Sequence, residues 1–435
     1  MRFISTILVI IISMLLRVDD ALFSAPSHQT DGITDATAIL NIQPQPLPPV
    51  GEPFIDPVFG TTITRLTDAT SNNTFGTHIY SQLQAFSADS QYVLLIENDE
   101  YTVRRLADFS RVPLDTRAWN APRRHPTQAD TIVHFDSNDD MVVRLQFTNI
   151  ESGTTETVFT FPPQYQFIRN NQSFDELSED GRWLAGMLTR DDGESVIFSL
   201  DLENRVLGVE LAIGDLYADA CLPDPQWGIL EPDWIGVSPL GNTLVVQWER
   251  DGIERCSGLE TFDLQSGEFI GRVYDGHQHG DLGVTEDGRE FFMTFELSSP
   301  MDNNRPAIGM RMLPGEATVS EPIYLLVIDW ADDGHISCRG PHGVCLVTQG
   351  GWPDDGWTPF EKELFLISTD GAVQRLTHHR SSSCGYWVQP RASMSHDGRY
   401  VIFASDWALE TGADGCSASE LGQGEAYIID LQAGR

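Results

Sequence analysis

Lysine is almost missing from this 435-residue chain. Of its 27 basic residues only Lys362 is a lysine, and they face 64 acidic residues, for a formal net charge of −37. Residues 1–25 hold two arginines and two aspartates, so the charge is the same without them. Such a charge repels polyanions and anionic lipid surfaces. The composition therefore argues against nucleic acid and anionic membranes as partners, and it is typical of a salt-tolerant secreted protein.

Cysteine is absent from the first half of the chain, which argues against an N-terminal lipid anchor. No two cysteines have the Cys-x-x-Cys spacing, so a zinc ribbon has little support. An even number of cysteines in an exported chain predicts disulfides. The flanking patterns favour the following pairs: Cys221 with Cys256, Cys338 with Cys345, and Cys384 with Cys416.

Several enzyme signatures are also missing. The chain has no G-x-S-x-G elbow, no phosphate loop and no dinucleotide fingerprint. Its one marked apolar run, residues 7–16, is too short to span a bilayer comfortably and follows Arg2. We expect residues 1–25 to be a signal peptide, the alternative being an uncleaved anchor. The predicted location is secreted or periplasmic, with no membrane span after signal removal.

What the chain does contain is a repeated hairpin. Residues 394–405 combine a small-residue entry, a turn with Asp-Gly and an apolar run rich in β-branched and aromatic residues. Related stretches, two of them degenerate, begin near the following positions: 86, 126, 177, 237, 284 and 336.

A spacing of roughly 40 to 60 residues is typical of four-stranded repeat units that close into a ring. We therefore predict an all-β fold, a single seven-bladed β-propeller over residues 54–435. Residues 26–53 are expected to be a polar, proline-rich linker. The strand within residues 61–67 should pair with the last strand, near residues 426–430, and close the ring.

Polar side chains gather in the segments that lead into and form the predicted inner strands. Seven of the eleven histidines lie there, and convergence of His, Arg, Asp and Tyr could supply a base and a charge clamp. Water-filled channels are also lined with polar groups that bind nothing, so a structural role is the alternative. The candidate ligand-binding residues are His78, Tyr80, Gln82, Arg124, His125, Tyr386, Trp387 and Gln389.

A metal site is a further hypothesis. His277, His279 and Asp281 place two imidazoles and a carboxylate within five residues, enough for a divalent ion if another segment adds ligands. Calcium or manganese would suit such a set, although the sequence leaves the cofactor unknown.

The repeat, with Thr64-Arg65-Leu66-Thr67 before the first hairpin and Gln374-Arg375-Leu376-Thr377 before the last, resembles the TolB-like propeller repeats. The layout is also similar to the oligogalacturonate lyases. That resemblance implies β-elimination on acidic saccharides with a histidine base, an arginine and a manganese held by histidines and a glutamine. Where the family has a His-x-His pair this chain has Gln389 and Arg391, and a further ligand histidine falls on Asp281.

Two functions therefore remain open. As a binding protein, the channel mouth would hold an acidic saccharide or a protein partner without turnover, as a monomer. As a lyase-like enzyme, Arg391 or Arg339 would neutralise a uronate carboxylate while His335 or His279 removes the adjacent proton.

Overall fold

The computed structural model describes ten stretches of the chain, and all of them belong to one compact unit, Gly32–Arg435. The predicted signal peptide and Cys416 lie outside the described residues. The described residues are 32–72, 74–136, 141–169, 177–252, 254–313, 320–329, 334–351, 357–382, 384–407 and 424–433.

The described residues form twenty-eight strands and one α-helix of seven residues, α1 (Ile213–Asp219). The strands are β1 (Pro53–Ile55), β2 (Thr62–Arg65), β3 (Gly76–His78), β4 (Tyr92–Glu97), β5 (Glu100–Arg105), β6 (Trp119–Arg124), β7 (Thr131–Asp136), β8 (Arg144–Asn149), β9 (Thr155–Thr160), β10 (Tyr165–Ile168), β11 (Trp183–Arg190), β12 (Ser195–Asp201), β13 (Val206–Ala212), β14 (Pro232–Val237), β15 (Thr243–Trp248), β16 (Leu259–Asp263), β17 (Phe269–Tyr274), β18 (Gly280–Val284), β19 (Glu290–Glu296), β20 (Ala307–Met312), β21 (Ile323–Val327), β22 (His335–Ser337), β23 (Val344–Thr348), β24 (Glu363–Ser368), β25 (Val373–His378), β26 (Ser393–Met394), β27 (Tyr400–Ser405) and β28 (Glu425–Asp430).

The strands pair in chain order into antiparallel sheets. Five sheets have four strands each, β6 to β9, β10 to β13, β14 to β17, β18 to β21 and β22 to β25. A sixth sheet of eight strands contains β3-β4-β5 and the group β26-β27-β28-β2-β1. A single parallel residue pair, Glu425 with Gly76, joins these two groups. Successive four-stranded antiparallel sheets are the building units of a β-propeller.

The predicted pairing of the two chain ends is confirmed. β2 lies antiparallel to β28, with Thr62 opposite Asp430 and Arg65 opposite Tyr427. An N-terminal strand thus completes the C-terminal sheet. The ends of the fold are held by a long-range ladder rather than by a local turn.

The repeated hairpin has a physical basis in its serine and glycine. Ser395 Oγ accepts a hydrogen bond from the Tyr400 amide at 2.9 Å and donates one to Asp397 at 2.6 Å. Gly398 adopts φ +68°, a conformation that costs little without a Cβ. Ser178 makes the same two contacts in its own sheet, with Trp183 and Asp180. The h-S-x-D-G pattern is therefore a turn signal, which explains why it marks the sheets so regularly.

The apolar cores lie between neighbouring sheets. One cluster joins Ile197 of β12 to Ile235 and Val246 of the following sheet, and another joins Phe291 of β19 to Ile336 of β22. Fully burying such a side chain contributes about 1.5–3 kcal/mol. Strands such as β15 and β19 are buried on both faces, which is why their sequences are mostly apolar.

Residues 32–50, which we call the N-terminal segment, do not behave as a free linker. Their carbonyl groups accept hydrogen bonds from side chains of the last two sheets. Arg375 Nη1 donates to Ala38 at 2.6 Å, Arg380 Nη1 to Gln43 at 2.7 Å and Trp407 Nε1 to Gln45 at 2.9 Å. The proline-rich composition predicts an extended linker. It gives no sign that buried side chains hold that backbone in place.

Two predicted disulfides, Cys221–Cys256 and Cys338–Cys345, are confirmed. The third pairing, Cys384 with Cys416, stays a prediction because Cys416 is not described. No helix within the described part of the chain is long and apolar enough to cross a membrane.

Candidate functional site

The loop between β25 and β26 builds one wall of the candidate site. Gly385 starts it at φ +124°, and residues 386–388 form a single 3-10 turn. Trp387 stacks on Phe75 with ring centroids 4.2 Å apart and an interplanar angle of 11°. This stack fixes the loop against the segment that enters β3, so aromatic side chains at positions 386 and 387 stand beside the first inner strand.

Arg391 lies beneath these aromatic rings. The residue is only 1% exposed, yet its Nη2 has no hydrogen-bond partner. The groups that act against burial are the hydroxyls of Tyr386, which hydrogen-bonds the side chain, and of Tyr80, and no described carboxylate is among them. Its guanidinium lies 4.2 Å from the Tyr386 ring centroid, 5.4 Å from that of Trp387 and 5.9 Å from that of Tyr80. Burial lowers the pKa of Arg391, as expected for a cation removed from water.

A hydrogen bond with His78 holds the backbone of Arg391. His78 Nε2 is 2.6 Å from the Arg391 carbonyl oxygen. Burial, and secondarily the Arg391 charge, lowers the pKa of His78 to about 3, so this histidine is neutral and donates from Nε2. Arg391 itself adopts φ +40°, a strained conformation that persists only where surrounding contacts enforce it. His78 is therefore a support for Arg391 rather than an exposed ligand.

Two histidines stack next to Tyr80. The rings of His279 and His335 lie 4.5 Å apart at 26°, and Tyr80 meets His335 edge-on at 5.5 Å. His335 is buried, whereas His279 is exposed. His279 Nδ1 is 2.9 Å from the Gly334 carbonyl oxygen. Donation from Nδ1 leaves the lone pair on Nε2, which is the state a base requires.

Asp233 adds a carboxylate beside these imidazoles. Burial raises the pKa of Asp233, while His279 and His277 act in the opposite direction through their charge. Burial also raises the pKa of Tyr80, with Tyr386 as the next cause. A protonated phenol at position 80 thus connects the histidine pair to Arg391.

Asp281 and Arg339 form a buried ion pair with each other. Arg339 Nε donates to Asp281 Oδ2 at 3.1 Å, Arg339 Nη2 contacts Oδ1, and the Cys338 amide donates to Oδ2 at 2.7 Å. The Asp281 carboxylate is therefore occupied by protein groups. Of the two arginines proposed as charge clamps, Arg339 is neutralised and Arg391 is not.

The proposed metal ligands do not gather. His277 pairs with Asp251 on the surface, His279 contacts Gly334, and Asp281 holds Arg339. Among the described residues no group of three His, Cys, Asp or Glu side chains could hold a metal ion. These residues therefore do not fit the manganese that the family resemblance implies. Arg391 occupies a position where that resemblance leads us to expect a ligand histidine.

Other candidate residues have structural partners. Gln82 Nε2 donates to Gly280 at 3.0 Å and so bridges two sheets. Gln389 is half-buried, and its carbonyl oxygen accepts a hydrogen bond from Arg391 Nε at 3.3 Å. Gln82 therefore braces the site, and Gln389 holds the Arg391 side chain.

Arg124 is the last residue of β6, and His125 follows it. Arg124 Nη2 donates to Ala129 at 3.0 Å. His125 accepts the Thr127 and Gln128 amides at Nδ1, and burial lowers its pKa to about 4. Both side chains therefore stabilise their own turn.

The structure thus brings together six of the candidate residues: Arg391, Tyr386, Trp387, Tyr80, His279 and His335. Sequence reasoning missed the role of Phe75, whose only signal was an aromatic residue just before β3. Asp233 also belongs to this group of residues and is not among the candidates predicted from the sequence.

Comparison with known proteins gives the fold. No family model matches the chain, and no curated protein does. Among solved structures, an oligogalacturonate lyase in complex with manganese superposes with a TM-score of 0.58 at 13% identity over 93% of this chain and 99% of that one. Oligogalacturonate lyase from Vibrio parahaemolyticus gives 0.57 at 12% identity over 87% and 96%.

TolB from Acinetobacter baumannii is a more distant match, with a TM-score of 0.35 at 14% identity over 70% of this chain and 63% of that one. The structural neighbours are thus oligogalacturonate lyases and TolB-like β-propellers of low sequence identity. The two oligogalacturonate lyases, at 12% and 13% identity, show a likeness of fold alone.

Proposed function

We propose that the channel mouth binds a carboxylate-bearing saccharide, with Arg391 as the anion contact. The observation that carries the proposal is the buried guanidinium of Arg391 with its unpartnered Nη2. A buried charge is costly unless a counter-charge or hydrogen bonds satisfy it. A ligand carboxylate would supply both, since guanidinium and carboxylate match in a two-bond geometry.

Other buried arginines of the chain show how a carboxylate can satisfy such a guanidinium. Acidic residues outnumber basic ones by 64 to 27, so counter-charges are plentiful. The buried arginines Arg375, Arg339 and Arg65 each pair with a carboxylate. Arg391 stands apart from them, which supports a role toward something outside the chain.

The aromatic rings fit a sugar. Tyr386 is 48% exposed and covers Arg391, while Trp387 is fixed by Phe75. Aromatic faces stack on the apolar face of a pyranose ring. In this proposal the Tyr386 ring moves aside, the carboxylate takes its place on Arg391, and the sugar ring rests against Trp387.

The proposal includes two features of the whole chain. We take β3-β4-β5 and β26-β27-β28-β2 as separate blades, since one residue pair joins them; with the five four-stranded sheets this gives seven. A secreted or periplasmic, monomeric protein agrees with the disulfides and the apolar N-terminal run.

The test is equilibrium binding by calorimetry of trigalacturonate and of its fully methyl-esterified form. We expect the ester to bind at least about tenfold more weakly, because loss of a charge-assisted contact costs about 1.5–3 kcal/mol. Equal affinity for the two forms would show that Arg391 does not bind the ligand carboxylate. If neither form binds, the saccharide is rejected and a protein partner remains as the candidate ligand.

A second candidate function is β-elimination, favoured by the exposed His279 with its free Nε2. Arg391 would neutralise the uronate carboxylate and so acidify the adjacent C5–H. His279 Nε2 would take that proton, the C5–H electron pair would form the C4–C5 double bond, and the glycosidic oxygen would leave at C4 with a proton from solvent. No step is assigned to a metal, because the mouth residues do not fit one.

The lyase candidate is tested by ultraviolet absorbance of the unsaturated product on polygalacturonate, with and without manganese or calcium. We expect His279→Ala to abolish turnover while trigalacturonate binding changes by less than about threefold, since a base acts on the reacting atom. Unchanged turnover in His279→Ala would reject His279 as the base. Binding without any product would leave the saccharide-binding function standing alone.

A further inference from the structure

A cavity of about 790 Å³ lies beside β12, β14 and the end of β15, and Arg391 does not line it. Its floor and rim carry apolar side chains, including Ile213, Leu230 and Pro232. Two rim residues are unusually exposed for their type, Trp227 at 69% and Ile229 at 54%. Large apolar groups left open around a concavity are typical of a binding surface.

The cavity is also strongly acidic. Its lining holds five carboxylates and one guanidinium, that of Arg250; the carboxylates are Glu194, Asp224, Glu231, Glu249 and Asp251. Asp224 pairs with Arg250 at 3.0 Å, and Glu231 pairs with Arg169 at 2.7 Å. Glu249 has no such partner among the described residues, so the lining holds negative charge that the protein does not neutralise.

The surroundings of Glu249 oppose its negative charge. Burial raises the pKa of Glu249, and the Asp233 carboxylate adds to that effect, while His277 acts in the opposite direction. A cation placed beside Glu249 would offset these effects and favour the charged carboxylate. Charge complementarity therefore selects a positively charged occupant.

The cavity wall is preformed. The loop before β14 is tied to the next sheet by the Cys221–Cys256 disulfide. Asp224 and Gly228 exchange two backbone hydrogen bonds at 2.6 and 2.9 Å, and the Leu230 amide donates to Tyr217 Oη at 3.1 Å. A rigid wall lowers the entropy that binding must overcome.

We propose that this cavity binds an alkylammonium group. The alkyl chain would lie on the apolar floor, and the ammonium would sit between the Glu249 carboxylate and the Trp227 indole face, where cation and ring attract each other. The cavity is separate from the proposed uronate site, because none of the six residues gathered there lines it. The source of the group is a free amine or a lysine side chain of another protein, which share this chemistry.

The test is calorimetric titration of the full chain with n-butylammonium and with n-butanol, its neutral counterpart. We expect n-butanol to bind at least about tenfold more weakly, since it lacks the charge. Binding of n-butylammonium should weaken when salt is raised from about 0.05 M to about 0.5 M, because partly exposed charges are screened. N-acetyl-lysine amide forms a further arm, and tighter binding of it assigns the site to protein lysines, weaker binding to free amines.

Variants locate the site. Glu249→Gln and Trp227→Ala should each weaken n-butylammonium about fivefold or more. Glu100→Gln is the matched control. It removes the same charge at an exposed position, where the Glu100 carboxylate pairs with Arg111 at 3.7 Å. This variant should bind n-butylammonium like the wild type. Equal affinity for n-butanol, unchanged binding in both cavity variants, or no binding of any amine would overturn the proposal.

Discussion

Arg375 and Arg391 are both fully buried arginines near the C-terminal end of the fold, and they differ in what surrounds them. Arg375 Nε donates to Glu363 at 2.7 Å, Nη2 contacts the same carboxylate, and Nη1 donates to Asp35 and Ala38. Arg391 has aromatic rings above it, a bond from Nε to Gln389 and an open Nη2.

The difference shows how the same residue type is used for two purposes. At Arg375 the chain supplies both a counter-charge and, through the N-terminal segment, carbonyl acceptors. At Arg391 it supplies aromatic rings and the Gln389 carbonyl oxygen, but no described carboxylate. The first arrangement stabilises the fold, and the second leaves a cation in need of an external partner.

Removing the N-terminal segment should have the largest effect. A chain starting at residue 51 loses the carbonyl acceptors of Arg375, His378, Arg380 and Trp407. With about 1.5–3 kcal/mol for a bond to a charged group, we expect a loss of at least about 5 kcal/mol in urea unfolding. A loss below about 1 kcal/mol would mean that the N-terminal segment contributes little to the stability of the fold.

Arg375→Gln comes next. It leaves Glu363 buried without its counter-charge, which typically costs about 3–5 kcal/mol. The free energy of unfolding should fall by that amount, while trigalacturonate affinity of the folded fraction stays within about twofold. Arg399→Gln is a control, because the Arg399–Asp430 pair is part-exposed at 3.1 Å and should cost less than about 1 kcal/mol.

Phe75→Leu should have a smaller effect on stability, and it acts at the Arg391 site. The substitution keeps an apolar side chain but removes the stack with Trp387, worth about 0.5–1.5 kcal/mol. We expect a matching fall in the free energy of unfolding and weaker trigalacturonate binding, because the loop that carries Tyr386 is less fixed. Unaltered affinity would show that the stack does not position the site.

An exposed ion pair gives the smallest effect. Glu179 raises the pKa of His342, and Glu179 also faces His396. A raised folded pKa gives stability that is present below the unfolded value of His, about 6.5, and lost as pH rises through the folded value. The contribution should be about 0.5 kcal/mol or less, seen as a small fall in melting temperature above pH 6.5 that His342→Gln abolishes.

The fold was largely predictable because its signal is local and repeated. Ser395, Asp397 and Gly398 form a turn through contacts within five residues, so the pattern reports the structure directly. The pairing of β2 with β28 followed from the same logic, since an unpartnered first strand needs a partner in a closed ring.

The site was less predictable because its chemistry depends on contacts between distant segments. Asp281 looked like a metal ligand, and only the fold shows that it lies against Arg339. His378 and Arg391 are both buried polar residues close to β25 and β26. Leu40 accepts a hydrogen bond from His378 from far along the chain, whereas Arg391 Nη2 has no hydrogen-bond partner among the described residues. Residue type and spacing do not carry such information.

The most direct measurement compares unfolding and binding in Arg391→Gln. If Arg391 awaits an external carboxylate, its removal should leave the free energy of unfolding unchanged or raised, because a buried unpaired charge is lost. Trigalacturonate affinity should fall at least about tenfold. A loss of several kcal/mol in stability together with unchanged affinity would contradict the account and place Arg391 in the same structural role as Arg375.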